Sequence, residues 1–538
     1  MQDWPLTTNR LLEHAGQQHG AREIVTRLES GAIVRTSYAR VLSESRTLSA
    51  ALRTLGVQQG DRIATLAMNS AAHLTAWYAI TGMGAICHTL NPRMSAEQLG
   101  YIVAHAGDRM LLADGSYAEL LARLLPACPG IEQLVWLSPP GEAVPTSIPT
   151  RSLEALMGLS GMPCTWGDFP EDTAAGLCYT SGTTGDPKGV LYSHRSNVLH
   201  TLMILPPDVL GLSEAECILP VVPMYHANAW GIVYAGPAVG AKLVLPGHRL
   251  DADSLLELME QEGVTLALAV PTVWLTVLQR MRSTQRRPVH LRRVIVGGAA
   301  CPERLIREFA ELGIETLHAW GMTETSPVGT VASLTSPLAA LSFEAQLPWR
   351  IKQGRAILGV EARIVSDQGQ VLPQDGETCG HLRVRGPAIV DRYFGDTRTR
   401  LDESGYFDTG DIATIDPQGY MHIADRSKDI IKSGGEWISS LHLESAVSMH
   451  PDVAMASVIG IPHERWGERP LLLVIPKPDA RPDQAGLLQY LASRFLKWQL
   501  PDAVLIVSEL PLGPTGKVDK KRLRELHAAG ALHGQHIT

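Results

Sequence analysis

From Asp61 onward, short apolar runs alternate with longer stretches of helical spacing, and this alternation restricts the fold more than any other feature of the chain. Ile63-Ala-Thr-Leu-Ala is followed by a helical pattern over 71–82, and Ile86 to Leu90 by another over 95–106. Met110-Leu-Leu-Ala then precedes a helix opening at Tyr117. Runs this short without polar alternation read as strands buried on both faces, and parallel pairing requires crossover helices. The pattern predicts an α/β fold with a mainly parallel sheet covered on both sides. It resumes at Cys217 to Val222, Leu243 to Leu245, Leu266 to Val270, Val294 to Val296 and Glu315 to His318, which predicts a second layer. Between Ile351 and Tyr420, turn signals at Asp367-Gln-Gly, Gln374-Asp-Gly-Glu and Asp416-Pro-Gln-Gly mark short strands of an antiparallel or β-barrel-like part. After the basic stretch Arg426-Ser-Lys-Asp-Ile-Ile-Lys, the remaining chain is long enough for a small α+β domain. The expected division is 1–425, a large N-terminal domain, and 426–538, a small C-terminal one.

A chain of 538 residues exceeds one ordinary core, which agrees with that division. Its formal net charge of -8 argues against nucleic acid or an anionic membrane as partner, so an anionic ligand must be held by local charges. The richest apolar window, Leu266 to Leu278, is interrupted by Pro271, and no integral membrane segment is expected. Met1-Gln-Asp-Trp-Pro-Leu has neither a basic nor an apolar leader region. Seven cysteines without C-x-x-C spacing fit reduced thiols, and a cytoplasmic location is expected. His463-Glu-Arg-Trp lacks the second histidine of a zinc motif.

The chemistry centres on Tyr179-Thr-Ser-Gly-Thr-Thr-Gly-Asp-Pro-Lys-Gly. Three glycines let the backbone approach a ligand, four hydroxyls and successive N–H groups face anionic oxygens, and Lys188 adds a fixed positive charge. Apolar flanks at Ala175 to Cys178 and Val190 to Tyr192 make it a glycine-rich tip between two strands. It is not the usual nucleotide P-loop, because Asp186 follows Gly185 and Gly189 follows Lys188.

This stretch resembles the phosphate-loop signature of the adenylate-forming acyl-CoA synthetase family, and the chain is similar to its bacterial medium- and long-chain fatty acyl-CoA synthetases. The resemblance spans nearly the whole chain in ordered motifs. It implies that Thr180, Ser181, Gly182, Thr183, Thr184, Gly185 and Lys188 hold the phosphates of ATP. Trp320-Gly-Met-Thr-Glu-Thr implies Trp320 against adenine beside His318 and Gly321, Thr323 on the α-phosphate, and Glu324 with Thr184 on Mg2+. Tryptophan departs from the Tyr or Phe usual at position 320. Gly297-Gly298-Ala-Ala resembles the second wall of the adenine pocket, with Gly298 in contact. Asp408-Thr-Gly-Asp implies Asp411 on the ribose hydroxyls, helped by Arg426. Lys428 resembles the hinge, which implies that the small domain 426–538 is mobile, and Lys432 and Trp437 resemble the nucleotide-side contacts that follow it. Pro511-Leu-Gly-Pro-Thr-Gly-Lys implies Lys517 bridging acyl carboxylate and α-phosphate, although Gly513 stands where Thr is common. Pro223-Met-Tyr-His-Ala-Asn-Ala-Trp implies His226 near the acyl carboxylate and Trp230 as a gate of the acyl tunnel; a helix opening there puts both on one face.

The implied activity is ATP-dependent: fatty acid, ATP and coenzyme A give acyl-CoA, AMP and diphosphate through an acyl-adenylate, with medium- to long-chain acids favoured. The catalytic set is Lys517, Thr323, Glu324 and His226, and a homodimer is expected from the family. Alternatives are a CoA ligase for short thioether, branched or aryl acids, an adenylating enzyme serving a carrier-protein thiol, and a non-catalytic nucleotide sensor. Retention of both Lys517 and Glu324 speaks against the last.

Overall fold

The computed structural model describes the chain apart from residues 142–143, 160–163, 181–185, 435, 513–517, 533–534 and 537–538, with backbone alone for 535–536. It contains two compact units, Met1–Glu361 with Arg385–Phe407, and Ala362–Val384 with Asp408–Thr538.

The first unit is built on two mainly parallel sheets, as the alternation requires. In one of seven strands, Arg62–Leu66, Ile86–Thr89, Met110–Ala113, Gln133–Trp136, Thr150–Ser152 and Ala174–Thr180 are parallel, and Lys188–Ser193 turns back antiparallel at the edge. The other, of nine strands, has Glu23–Arg27, Lys242–Leu245, Cys217–Pro220, Leu266–Ala269, Arg293–Val296 and Glu315–Gly321 in parallel register. Antiparallel strands Ile33–Ser37 and Val328–Val331 lie towards its edges.

The helix Ala71–Gly82 matches the sequence reading at both ends and packs between the sheets. Ser70 caps it by accepting the His73 N–H at 3.1 Å, and every residue from His73 to Gly82 is buried. A helix with no polar face can only be covered on all sides. Its Trp77 and Tyr78 share one apolar cluster with Ile63 and Cys87 of the first sheet and Ile24, Ile218, Leu243 and Leu266 of the second. The Trp77 indole N–H donates to the Tyr234 hydroxyl at 2.9 Å and the Tyr78 hydroxyl to the Val233 carbonyl at 2.9 Å, so both polar tips are satisfied in the dry interior. Burying an aromatic side chain of this size is worth about 5 kcal/mol before entropy is counted.

In the second unit, Glu361–Val365, Gly380–Arg385, Phe407–Ile415 and Met421–Arg426 form a four-stranded sheet, the form taken by the part expected to be barrel-like. A six-stranded sheet follows, dominated by the antiparallel pair Val453–His463 and Gly467–Pro476, with helices Ser440–Ser448, Gln484–Ala492 and Lys520–Ala528. Its core joins Ile431, Leu443, Val447, Leu472, Val474 and Leu487. The segment from Asp425 to Lys428, where the sequence suggests a domain boundary, lies within this unit, where Met421–Arg426 leaves one sheet and Ile431–Ser433 enters the other.

The expected helix at His226 is corrected. Ala227, Asn228, Ala229 and Trp230 have φ of 41°, 58°, 47° and 56°, followed by Gly231 at 85°, so the chain makes a left-handed turn. L-residues resist this conformation because Cβ crowds the following carbonyl, at roughly 1–2 kcal/mol each. Right-handed helical spacing therefore does not relate His226 to Trp230.

Candidate active site

The first unit contains the root of the phosphate hairpin. Thr180 pairs with Lys188 and Tyr179 with Gly189 in the antiparallel register, while Ser181, Gly182, Thr183, Thr184 and Gly185 lie outside the described residues. Lys188 is exposed at the open end. Gly189 admits no side chain cheaply, since a Cβ would stand 3.0 Å from both Phe394 Cβ and Tyr179 Cζ. Its carbonyl accepts the Phe394 N–H at 2.7 Å. Beneath the hairpin, the Tyr179 hydroxyl is hydrogen-bonded to His105 Nδ1 at 2.6 Å. His88 Nδ1 lies 2.8 Å from Asp108 Oδ2 with both side chains fully buried.

The strand Glu315–Gly321 delivers the second group of expected residues. Trp320 is half-buried, and its ring lies over Gly329, where a Cβ would come within 2.7 Å of Trp320 Cζ3. The missing side chain at 329 makes room for the larger ring. At Gly321 a Cβ would meet the Pro327 carbonyl oxygen at 1.8 Å, so the turn into Thr323–Thr325 closes only with glycine. The Tyr192 hydroxyl donates to the Thr323 carbonyl at 2.7 Å. Glu324 is buried; its carbonyl accepts the Val390 N–H at 2.9 Å, and its Oε1 accepts the Tyr393 hydroxyl at 2.8 Å. Burial, reinforced by the Glu324 charge, pushes the Tyr393 phenol up, so it stays protonated and remains the donor. Lys188 Nζ stands 5.0 Å from the centroid of the same Tyr393 ring.

His318 is buried, with Nδ1 3.1 Å from the Ile351 carbonyl oxygen; burial lowers its imidazole to about 4, against the pull of nearby backbone carbonyls, and keeps it neutral. Its ring is thus held as part of the sheet. Gly298 adopts φ of 75° at the end of Arg293–Val296. The Trp230 indole covers this turn: a Cβ on Gly297 would be 3.1 Å from Trp230 Cη2, and one on Gly298 3.8 Å from Cζ2. The expected acyl-side tryptophan and the expected adenine wall therefore share a contact. His226 is half-buried beside Tyr225, with ring centroids 6.3 Å apart.

Among the described residues no three His, Cys, Asp or Glu side chains cluster as a metal cage. Mg2+ needs no such cage, because it is commonly held by one or two carboxylates together with substrate phosphates and water. One oriented, buried carboxylate at Glu324 fits that requirement.

In the second unit, Asp411 and Arg426 face each other across paired strands, with Arg426 Nε 2.9 Å from Asp411 Oδ1; the carboxylate is buried and the guanidinium half-exposed. Lys428 is pushed down by partial desolvation, with Arg426 and Arg524 adding to the effect against Asp429 and Asp519. Lys432 Nζ stands 5.9 Å from the Trp437 ring centroid, and Trp437 packs edge-on against His381 at 6.0 Å. Lys517 and Gly513 lie outside the described residues.

Sequence reasoning missed Tyr192, Gly329 and Tyr393. Tyr192 and Gly329 lie in strands next to named motifs, so their proximity was readable. Tyr393 sits in irregular chain, 69 residues beyond Glu324, and no spacing signal links the two.

A family profile described as AMP-binding enzyme matches residues 12–394, and one described as AMP-binding enzyme C-terminal domain matches 442–517. The chain belongs to the AMP-binding enzyme family. This AMP-binding enzyme is 45% identical over 527 residues to a 3-methylmercaptopropionyl-CoA ligase of Ruegeria lacuscaerulensis, covering 98% of each chain. It is also 45% identical over 522 residues to a medium-chain-fatty-acid–CoA ligase of Ectopseudomonas oleovorans, covering 97% of this chain and 96% of the other. The crystal structure of ATP-bound MatB from Rhodopseudomonas palustris matches with a TM-score of 0.82 at 26% identity, over 98% of this chain and 100% of that one. The enzyme is an acid–thiol ligase that uses ATP and CoA and proceeds through an acyl-adenylate. No helix among the described residues is long and apolar enough to cross a membrane, and the seven cysteines are unpaired.

Proposed function

We propose that this AMP-binding enzyme converts medium- to long-chain fatty acids to their CoA thioesters. The observation that carries the reading of the nucleotide site is the bracket around Tyr393, which has the Glu324 carboxylate on its hydroxyl and the Lys188 ammonium near its ring.

A carboxylate is a poor acyl donor because oxide does not leave. Its oxygen therefore attacks the α-phosphorus of ATP, the bond to the bridging oxygen breaks, and pyrophosphate departs with the electron pair. Lys188 and the loop Thr180 to Gly185 hold the departing phosphates. Thr323 and Lys517 stand against the charge that develops at the α-phosphate, where preorganised donors lower the barrier most. Glu324, with Thr184, would hold Mg2+, which when bound supplies positive charge at the phosphate oxygens. Trp320, Gly298, Gly321 and His318 form the base pocket, and Asp411 with Arg426 takes the ribose. His226 orients the acid. In the second step the CoA thiolate attacks the acyl carbon and AMP leaves. Lys517 serves only the first step, so the segment carrying it swings about Lys428 between the two, while Lys432 and Trp437 contact the nucleotide side.

The left-handed turn at Ala227 to Trp230 supports the acyl reading, because it turns a large apolar ring onto Gly297 and Gly298 instead of a polar group. Each buried methylene contributes about 0.8 kcal/mol, near fourfold in affinity, so an apolar tunnel favours longer acids. A second reading, a short thioether acid, is favoured by the equal identity to a 3-methylmercaptopropionyl-CoA ligase. A panel from propionate to palmitate with 3-methylmercaptopropionate, benzoate and phenylacetate separates them: an optimum at eight or more carbons (about the medium-chain range) supports the first, and one at the thioether acid overturns it. We also propose a cytoplasmic homodimer, which light scattering and cell fractionation test.

A further inference from the structure

The segment from Pro387 to Asp396 belongs to the first unit, where it touches both halves of the phosphate chemistry at once. The Phe394 N–H donates to Gly189 at the hairpin root, the Val390 N–H donates to the Glu324 carbonyl, and the Ser326 hydroxyl donates to the Ala388 carbonyl at 2.7 Å. Tyr393 stands between these anchors. Its hydroxyl fixes one Glu324 oxygen, and its ring is approached by Lys188 Nζ at 5.0 Å and by the Arg400 guanidinium at 5.6 Å. Cations are drawn to the face of an aromatic ring, and the effect grows as water is excluded. The Arg400 guanidinium is itself held by ion pairing with Asp396, and its backbone N–H donates to the Asp391 carbonyl at 2.7 Å.

We propose that Tyr393 is a positioning residue that sets the Glu324 carboxylate and the Lys188 ammonium in fixed relation, so that one aligns the metal while the other holds the same phosphate chain. The inference rests on the reading of Glu324 as the metal carboxylate. A hydroxyl that donates to a carboxylate fixes its rotamer and makes the metal-facing geometry independent of substrate binding, and loss of such an outer partner commonly weakens metal affinity by about 10- to 100-fold. The ring has a separate task. It gives the exposed Lys188 a face to rest against at the mouth of the hairpin, which narrows the range of positions its ammonium takes. Tyr393 also lines a cavity of about 330 Å³, and Tyr393→Phe removes the hydroxyl while keeping the ring.

The two tasks separate by substitution. Mn2+ binding in the presence of α,β-methylene-ATP, read by paramagnetic resonance, and the Mg2+ dependence of acid-dependent ATP–pyrophosphate exchange are measured for wild type, Tyr393→Phe, Tyr393→Leu and Glu324→Gln. Tyr393→Phe is expected to weaken Mn2+ binding and raise the half-saturating Mg2+ by about tenfold or more, with turnover recovering at saturating metal and KM for ATP little changed. Tyr393→Leu is expected to add a rise in KM for ATP, which Phe restores. If Glu324→Gln weakens Mn2+ binding and Tyr393→Phe leaves it unchanged, the positioning role is overturned while the metal assignment stands. If Glu324→Gln itself leaves Mn2+ binding unchanged, the metal assignment fails and the inference falls with it.

Discussion

Arg426 Nε meets Asp411 Oδ1 at 2.9 Å across two paired strands, and the carboxylate is almost wholly buried while the guanidinium stays half-exposed. A carboxylate fixed from one side by an arginine presents its remaining capacity in a defined direction, which suits a vicinal diol. Asp411→Asn is therefore expected to raise KM for ATP about 10- to 150-fold, the worth of a hydrogen bond to a charged group. The same change should narrow the preference for ATP over 2′- and 3′-deoxy-ATP. Steady-state kinetics with the three nucleotides checks this; unchanged discrimination would remove Asp411 from the ribose site.

Gly321→Ala is expected to disable the enzyme by geometry. A Cβ at that position would sit 1.8 Å from the Pro327 carbonyl oxygen, which is backbone and cannot rotate away. Overpacking of this kind costs about 3 kcal/mol or more and displaces the turn carrying Thr323 and Glu324. The expected outcome is a lowered unfolding midpoint together with loss of adenylate formation, read by urea titration and by pyrophosphate release.

Trp230→Ala is expected to move the chain-length optimum towards longer acids, because it empties the space along Gly297 and Gly298 now filled by the indole. At about 0.8 kcal/mol per methylene, two extra carbons shift kcat/KM by about tenfold or more. A kcat/KM series over even-numbered acids reads the shift directly, and an unchanged optimum would make Trp230 a packing residue.

Three buried histidines of the first unit couple stability to pH. Desolvation lowers His194 to about 3 and His200 and His318 to about 4, and His200 Nε2 accepts the Val328 N–H at 3.1 Å, which requires a neutral ring. The unfolded chain takes up these protons near the ordinary value of about 6.5, while the folded chain does not until much lower pH. Stability is thus fully present above about 6.5 and is lost as pH falls towards 4, at about 1.4 kcal/mol per pH unit for each histidine. Fluorescence-monitored urea titrations at about pH 7 and pH 5 should show the fall, and His200→Gln should reduce its slope.

Much of the architecture was legible because local signals agreed with the global pattern. Ser70 before a mostly apolar, buried helix, the Ser95 and Gln98 capping box, and the four-residue strand Met110–Ala113 are each fixed by neighbouring chemistry. The hairpin root was legible for the same reason. The left-handed turn at Ala227 to Trp230 was not, since two alanines and a tryptophan prefer ordinary backbone, and the surrounding fold overrides that preference. Tyr393 was hidden too. Its contacts with Glu324 and Lys188 arise from a chain return that no short-range pattern encodes. The return of 385–407 to the first unit likewise leaves no mark in composition.

The most direct measurement is isotope exchange from labelled pyrophosphate into ATP, with Mg2+ and a medium-chain acid but without CoA. Exchange that requires the acid and is abolished in Lys517→Ala is the expected result, because reversible acyl-adenylate formation precedes the thiol step. Absence of acid-dependent exchange with every acid of the panel would contradict the assigned chemistry of the site.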